Sequence, residues 1–227
     1  AGAAAPSAAV PATQPTQAQL AVTQPADSDD EDAAEAADAL GPGAEEEEGL
    51  HFSVLFSAPL VWRDQRGSYG AIPLLDQAAE RDMLTQVFRD ARRPIALDFN
   101  FATTEKLRSL VTLGCHALHF SGHGHAKCLT FEDGSGGLQA VTHDRLHKLV
   151  GAATVGAGRE GMLAGAALRF VFVSACHSHL SGQAFADAGV AHVVCVNQEA
   201  ELLDSAALSF TRAFYLALAV GRTVADS

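Results

Sequence analysis

The sequence predicts an α/β fold whose central sheet is mostly parallel and covered by helices on both faces. Downstream of residue 50, short apolar runs alternate with segments of helical period. The run Leu168-Arg-Phe-Val-Phe-Val-Ser174, the strongest strand signal, is rich in β-branched and aromatic residues and flanked by Gly/Ala segments. Strands that alternate with helices pair in parallel, because each helical crossover returns the chain to the same end of the sheet.

The elements follow in order. His51–Ser57 reads as a strand that stops at Ala58-Pro59. Leu75, Ala78, Ala79, Leu84, Val87, Phe88 and Ala91 recur near helical spacing and give an amphipathic helix that ends before Pro94. Ile95–Phe99 is a second strand, and Thr104–Leu113 a helix ended by Gly114. Ala117–Ser121 is a short buried strand, and Cys128–Phe131 another, followed by the turn Asp133-Gly-Ser-Gly-Gly137. A helix capped by Thr142 runs to Val150, and residues 151–165 read as a Gly/Ala-rich loop. After the 168–174 strand come a helix near Ser181–Ala188, the strand Ala191–Val196, and a long helix carrying Leu203, Ala207, Phe210, Phe214 and Leu218 on one face.

Residues 1–49 have another texture: Ala, Pro, Gln, Thr and Ser, then acidic runs, with few large aliphatics. Such a segment has too little apolar surface to offset its ordering entropy, so a disordered acidic linker is expected, the alternative being a short helix over Glu31–Leu40. Residues 50–227 form the expected folded domain, truncated at its C-terminal end. The chain starts without a methionine and stops in mid-pattern, so it reads as part of a longer chain with further domains.

Charge and composition narrow the function classes. Of 27 acidic residues, 11 lie in the first 50, which hold no Lys or Arg, so 16 acids face 15 bases after them. A nearly neutral domain lacks the basic face of a phosphate-backbone binder, and nucleic acid is not an expected partner. No stretch approaches the roughly 20 apolar residues of a membrane span. Cys115, Cys128, Cys176 and Cys195 show no short paired spacing, which suits a reduced, intracellular and cytoplasmic protein.

In open α/β sheets, sites form beyond the carboxyl ends of the strands. Two such ends carry chemistry. His119-Phe-Ser-Gly-His-Gly-His125 breaks a buried strand into a glycine-flanked turn presenting His123, and Val171-Phe-Val-Ser-Ala-Cys-His-Ser-His179 delivers Cys176 to a strand mouth. A thiolate is a nucleophile, and a neighbouring imidazole can accept the thiol's proton. Glycine at 122 and 124 lets backbone approach a substrate carbonyl, with the Gly124 and Cys176 N–H groups as oxyanion donors.

These residues resemble the CHAT domains, relatives of caspases, metacaspases and separases among the caspase-like cysteine peptidases. The likeness rests on Val54-Leu-Phe-Ser-Ala-Pro-Leu60, Leu118-His-Phe-Ser-Gly-His-Gly124, Leu129-Thr-Phe-Glu-Asp-Gly134, Val173-Ser-Ala-Cys-His-Ser178, Ala188-Gly-Val-Ala-His-Val-Val194 and Asp204–Tyr215, and spans residues 50–227. His123 and Cys176 stand 53 residues apart, near the roughly 50 of caspases. The resemblance implies a caspase-like three-layer α/β/α sandwich and a cysteine-type endopeptidase, a regulatory protease within a larger multidomain protein. His123 would be the general base, Cys176 the nucleophile, Gly124 part of the oxyanion hole, and a protein or peptide the substrate. The alternative within the family is an inactive scaffold or interaction module. No cofactor is implied.

Separase-like relatives place an acidic residue in the pocket for the side chain before the scissile bond, and Asp204 stands at the matching position; it is equally a helix N-cap. Glu132 and Asp133 are further acidic candidates for substrate binding, or simply turn residues. His119 is expected to be a satisfied core histidine, and Cys115, Cys128 and Cys195 core thiols. His125, His177 and His179 are expected to line the cleft. They could gather with Cys176 and His123 around zinc, but the paired spacings of structural zinc sites are absent, and no metal is expected.

Overall fold

The structure is a computed structural model that describes residues 20–23, 50–93, 95–154, 168–196 and 204–227; for 20–23, 152–154 and 204 it describes backbone alone. A six-stranded sheet forms the middle layer. In chain order its strands are β1 (Leu20–Thr23), β2 (Leu50–Phe56), β5 (Ile95–Phe101), β6 (Ala117–Ser121), β10 (Phe170–Ser174) and β11 (His192–Val196). They lie in the order β1-β11-β10-β6-β2-β5, all parallel except β1.

Alternation along each strand divides the apolar residues between two cores. Phe52, Val54, Phe56, Ala117, Phe170, Phe172 and Val194 face α1 (Gln77–Asp90) and α5 (Asp204–Ala219), which add Leu84, Val87, Phe88, Phe214 and Tyr215. Leu55, Leu118, Phe120, Val171, Val173, Val193 and Cys195 face α2 (Thr104–Leu113), α3 (His143–Thr154) and α4 (His179–Asp187). Both faces of the sheet are therefore covered, as the continuous apolar runs require. The fold is the three-layer α/β/α sandwich expected from the sequence.

Side-chain caps place the helix ends. The Asp76 carboxylate accepts from the Ala79 N–H at 3.0 Å to start α1, and the Thr103 hydroxyl from the Lys106 N–H at 3.1 Å to start α2. Gly114, with φ of 97°, ends α2 in the left-handed region.

Four differences from the sequence reading have local causes. Cys128–Glu132 (β8) is not in the main sheet: it joins β7 (Gly124–His125) and β9 (Leu138–Thr142) in a separate antiparallel sheet, with a turn too short for a parallel crossover. A hairpin of β3 (Val61–Arg63) and β4 (Tyr69–Ala71) fills a stretch whose three-residue strands are too short for a periodic signal. Residues 151–154, expected to be loop, continue α3; residues 155–165 of that loop lie outside the described residues. Finally, Leu20–Thr23, within the expected disordered linker, pairs antiparallel with β11, Leu20 opposite Val196 and Thr23 opposite Val193. The exposed edge of β11 needs partners for its N–H and C=O groups, and backbone pairing does not depend on the large apolar side chains the segment lacks. The rest of that linker, including Glu31–Leu40, lies outside the described residues. Among the described residues no helix is long and apolar enough to cross a membrane.

Candidate active site

The register between β6 and β10 sets Ser121 opposite Ser174. His123 and Cys176 each follow two residues later, so two neighbouring parallel strands deliver them to the same edge at the same height. The Gly122 N–H donates to the Ser174 carbonyl at 3.1 Å, continuing the ladder past the strand ends. His123 and Cys176 line one cleft of about 470 Å³, with Pro73–Asp76 before α1 on one side and Ala207 and Leu208 of α5 on the other.

The His123 side is held at several points. The Thr130 hydroxyl donates to the His123 carbonyl at 2.6 Å and the Thr130 N–H at 3.3 Å. Ser57 in turn donates its hydroxyl to the Thr130 carbonyl at 2.6 Å. At the ring, Nε2 meets the Pro73 carbonyl at 2.7 Å. A carbonyl only accepts, so Nε2 carries the proton and Nδ1 of the neutral ring keeps its lone pair.

The glycines around His123 are required by close approach. A Cβ on Gly124 would strike the Cys176 carbonyl oxygen and stand 3.1 Å from the Ala175 Cβ, while one on Gly122 would sit 2.6 Å from the Ser57 Cβ. The two loops pack backbone to backbone, which no other residue type permits at 124.

On the Cys176 side, Ala175 is buried, Cys176 half-buried, and His177 adopts φ of 54°, sparsely populated for a side-chain-bearing residue. Ser178 then secures the turn into α4: its hydroxyl accepts from the Val196 N–H at 2.9 Å, and its carbonyl from the Gly182 N–H at 2.8 Å. Cys176 therefore sits just before the N-terminus of α4.

Below the cleft, Glu80 of α1 is buried and hydrogen-bonded twice. Its Oε1 meets His119 Nε2 at 3.0 Å, and its Oε2 accepts from the Ser121 hydroxyl at 2.5 Å. His119, fully buried, completes its needs at Nδ1 with the Tyr215 hydroxyl at 2.9 Å. Burial raises the Glu80 carboxyl, but the His119 hydrogen bond and charge and the Ser121 hydroxyl outweigh it and hold it below its ordinary value. Burial, reinforced by the Glu80 charge, pushes the Tyr215 hydroxyl well up.

The other thiols are disfavoured as nucleophiles. Burial raises Cys115, Cys128 and Cys195, the last to about 11, so each carries less thiolate at neutral pH.

The remaining sequence expectations divide. His177 lines the cleft, whereas His125 and His179 are not among its lining residues; His125 Nδ1 accepts from the Lys127 N–H at 3.2 Å on the side sheet. Glu132 and Asp133 do not reach the cleft. Glu132 Oε1 accepts from the Ala58 N–H at 2.9 Å, and Asp133 Oδ1 closes its own turn by accepting from Ser135 and Gly137 N–H at 2.7 and 2.9 Å. The cause is that the Glu132 end of β8 bonds to Ala102 after β5, which carries it away from Cys176. Asp204 is the first residue of α5, and its side chain lies outside the described residues. Among the described residues no three His, Cys, Asp or Glu groups are arranged to hold a metal ion.

Sequence reasoning missed Pro73 and Glu80. Pro73 offers only a backbone carbonyl, which leaves no residue-type signal. Glu80 did leave one: it stands four residues before Leu84 on the apolar face of α1, and an acid there implies a buried partner.

In comparison with known proteins, a family model described as the CHAT domain matches residues 2–227. No curated protein matches the chain.

Proposed function

This chain belongs to the CHAT domain family, a caspase-like, peptidase-related group, and from that premise we propose that it is a cysteine-type endopeptidase working through a His123/Cys176 dyad. The observation that carries the reading is the placement of both residues two positions past a registered pair of strand ends, lining one cleft.

Each step uses a group already placed. With Nε2 bonded to the Pro73 carbonyl, His123 takes the Cys176 proton at Nδ1. The thiolate attacks the substrate peptide carbonyl and a C–S bond forms. Charge on the carbonyl oxygen is met by the N–H groups of Gly124 and Cys176. Register supports Gly124 as donor: residues of an antiparallel ladder alternate between bonded and non-bonded pairs, and Thr130 already bonds to His123, so the Gly124–Leu129 pair is non-bonded and its N–H points away from β8. The intermediate collapses as the C–N bond breaks, and the leaving amine takes the proton from His123. Water, deprotonated by His123, then cleaves the thioester, releasing the acid and restoring the thiol.

The lining of the cleft bears on substrate choice. Its described lining residues include the Asp76 carboxylate and no Lys or Arg, so an acidic side chain is disfavoured. Asp204 opens α5 one turn before Ala207 and Leu208, which line the cleft. We therefore favour cleavage after a basic residue.

The test is labelling and turnover together. A peptidyl acyloxymethyl ketone with a basic residue at the reactive end should modify Cys176, slowly in His123→Ala, and wild type should cleave members of a peptide library after Arg or Lys. Equal labelling of wild type and His123→Ala would remove the dyad. Labelling with no cleavage in the library would favour the interaction-module reading.

A further inference from the structure

The network beneath the cleft has no part in the proposed chemistry, yet it joins three elements that shape the site. Glu80 belongs to α1, His119 and Ser121 to β6, and Tyr215 to α5. Those three elements also bound the cleft: the lead into α1 supplies Pro73–Asp76, β6 runs into His123, and α5 supplies Ala207 and Leu208.

The Glu80 carboxylate only accepts, so His119 Nε2–H donates to its Oε1 and the Ser121 hydroxyl to its Oε2, while His119 Nδ1 bonds to the Tyr215 hydroxyl. The apolar contacts around it, such as Phe52 and Phe172 each 5.3 Å from Tyr215, hold α1 and α5 to the sheet without a preferred slide along it. Buried hydrogen bonds are directional, and a shift of either helix leaves a buried polar group unpaired.

Resting on the endopeptidase reading, we propose that this network sets the spacing of the substrate cleft. Glu80, His119 and Tyr215 are positioning residues: they register the α1 and α5 walls against the His123 strand and do not take part at the reacting atoms. Glu80 is the hub, since it alone bonds to two residues of β6 and stands in the first turn of α1, next to the Pro73–Asp76 wall.

The experiment compares two reagents at Cys176 in the full chain: iodoacetamide, too small to need the walls, and a peptidyl acyloxymethyl ketone that must lie between them. Tyr215→Phe and Glu80→Ala should slow the peptidyl reagent about tenfold, the scale on which small misplacements act, and change iodoacetamide labelling less than about twofold. Glu80→Gln can still accept from His119 and donate to Ser121, so it should restore the peptidyl rate. Parallel slowing of both reagents, no slowing of either, or failure of Gln to restore the rate overturns the proposal. Should Glu80→Ala not fold, Tyr215→Phe and Ser121→Ala, each cutting one link, decide it. Failure of the underlying reading is distinguishable, because wild-type Cys176 would then react no faster than in His123→Ala with either reagent.

Discussion

The two ends of the parallel sheet make an instructive contrast. At the amino ends of the strands lies the larger and more apolar cleft, about 900 Å³, lined by Phe52, Phe88, Ile95, Phe170 and Leu218 and edged by Arg93, Arg169 and Arg222. The cleft at the carboxyl ends has about half that volume and holds His123, Cys176 and the buried Glu80. The amino-end cleft has histidines too, His116 and His192, but among the described residues no thiol lines it. Size and apolarity therefore do not select the end proposed for the chemistry. Topology does: at the carboxyl edge the chain leaves β6 and β10 in register, which brings an imidazole and a thiol into one cleft.

The largest expected effect breaks or upholds this contrast directly. Cys176→Ala should abolish selective alkylation, and His123→Ala should slow it by about a hundredfold, the lower range for loss of a general base. His116→Ala, at the other end, should change the rate less than about twofold. Timed iodoacetamide labelling read by mass spectrometry decides it, and comparable slowing by His116→Ala would abolish the distinction between the ends.

Next comes the backbone contact that brings the two loops together. Gly124→Ala forces a methyl against the Cys176 carbonyl and should cost about 1–3 kcal/mol, as overpacking does. Arg222→Ala, exposed at the amino end, should stay within about 0.5 kcal/mol. Denaturant titration compares them; equal costs would mean the loops are not tightly opposed.

A smaller effect ranks the thiols. In the native protein Cys176 should label first and Cys128, half-buried on β8, second, with Cys115 and Cys195 silent until unfolding. Faster labelling at Cys128 would move the reactive thiol off the β10 end.

The smallest effect is on acid stability. Glu80 titrates below its ordinary value of 4.5 in the folded protein, so its contribution is complete above that value and is lost as pH falls through the folded one. Melting temperatures measured from about pH 6 down to about pH 3 should fall less steeply in Glu80→Gln than in wild type. Identical slopes would mean Glu80 carries no stabilising charge beneath the cleft.

What was legible in the sequence follows from locality. β2, β5, β6, β10 and β11 coincide with apolar runs, and α1, α2 and α5 with helical periods, because one face of each buries along its own length. His123 and Cys176 were legible because each ends such a run beside small residues. β3, β4 and β9 were not, since their partners lie across turns rather than in their own periodicity. Glu132 and Asp133 misled for a related reason: an acid near a functional loop in the sequence gives no direction for its carboxylate, and both point into backbone N–H groups.

By itself, then, the sequence determined the α/β class and the order of the parallel strands and their helices, and it pointed to the two residues of the proposed dyad, all of which depend on neighbours along the chain. Tertiary structure alone decided how those residues are supported. Pro73 holds His123 across 50 positions, Glu80 reaches His119 across 39, and Tyr215 reaches it across 96. Contacts at such separations leave no periodic trace, because they arise only when the sheet register has set which strand ends and helix faces stand opposite one another.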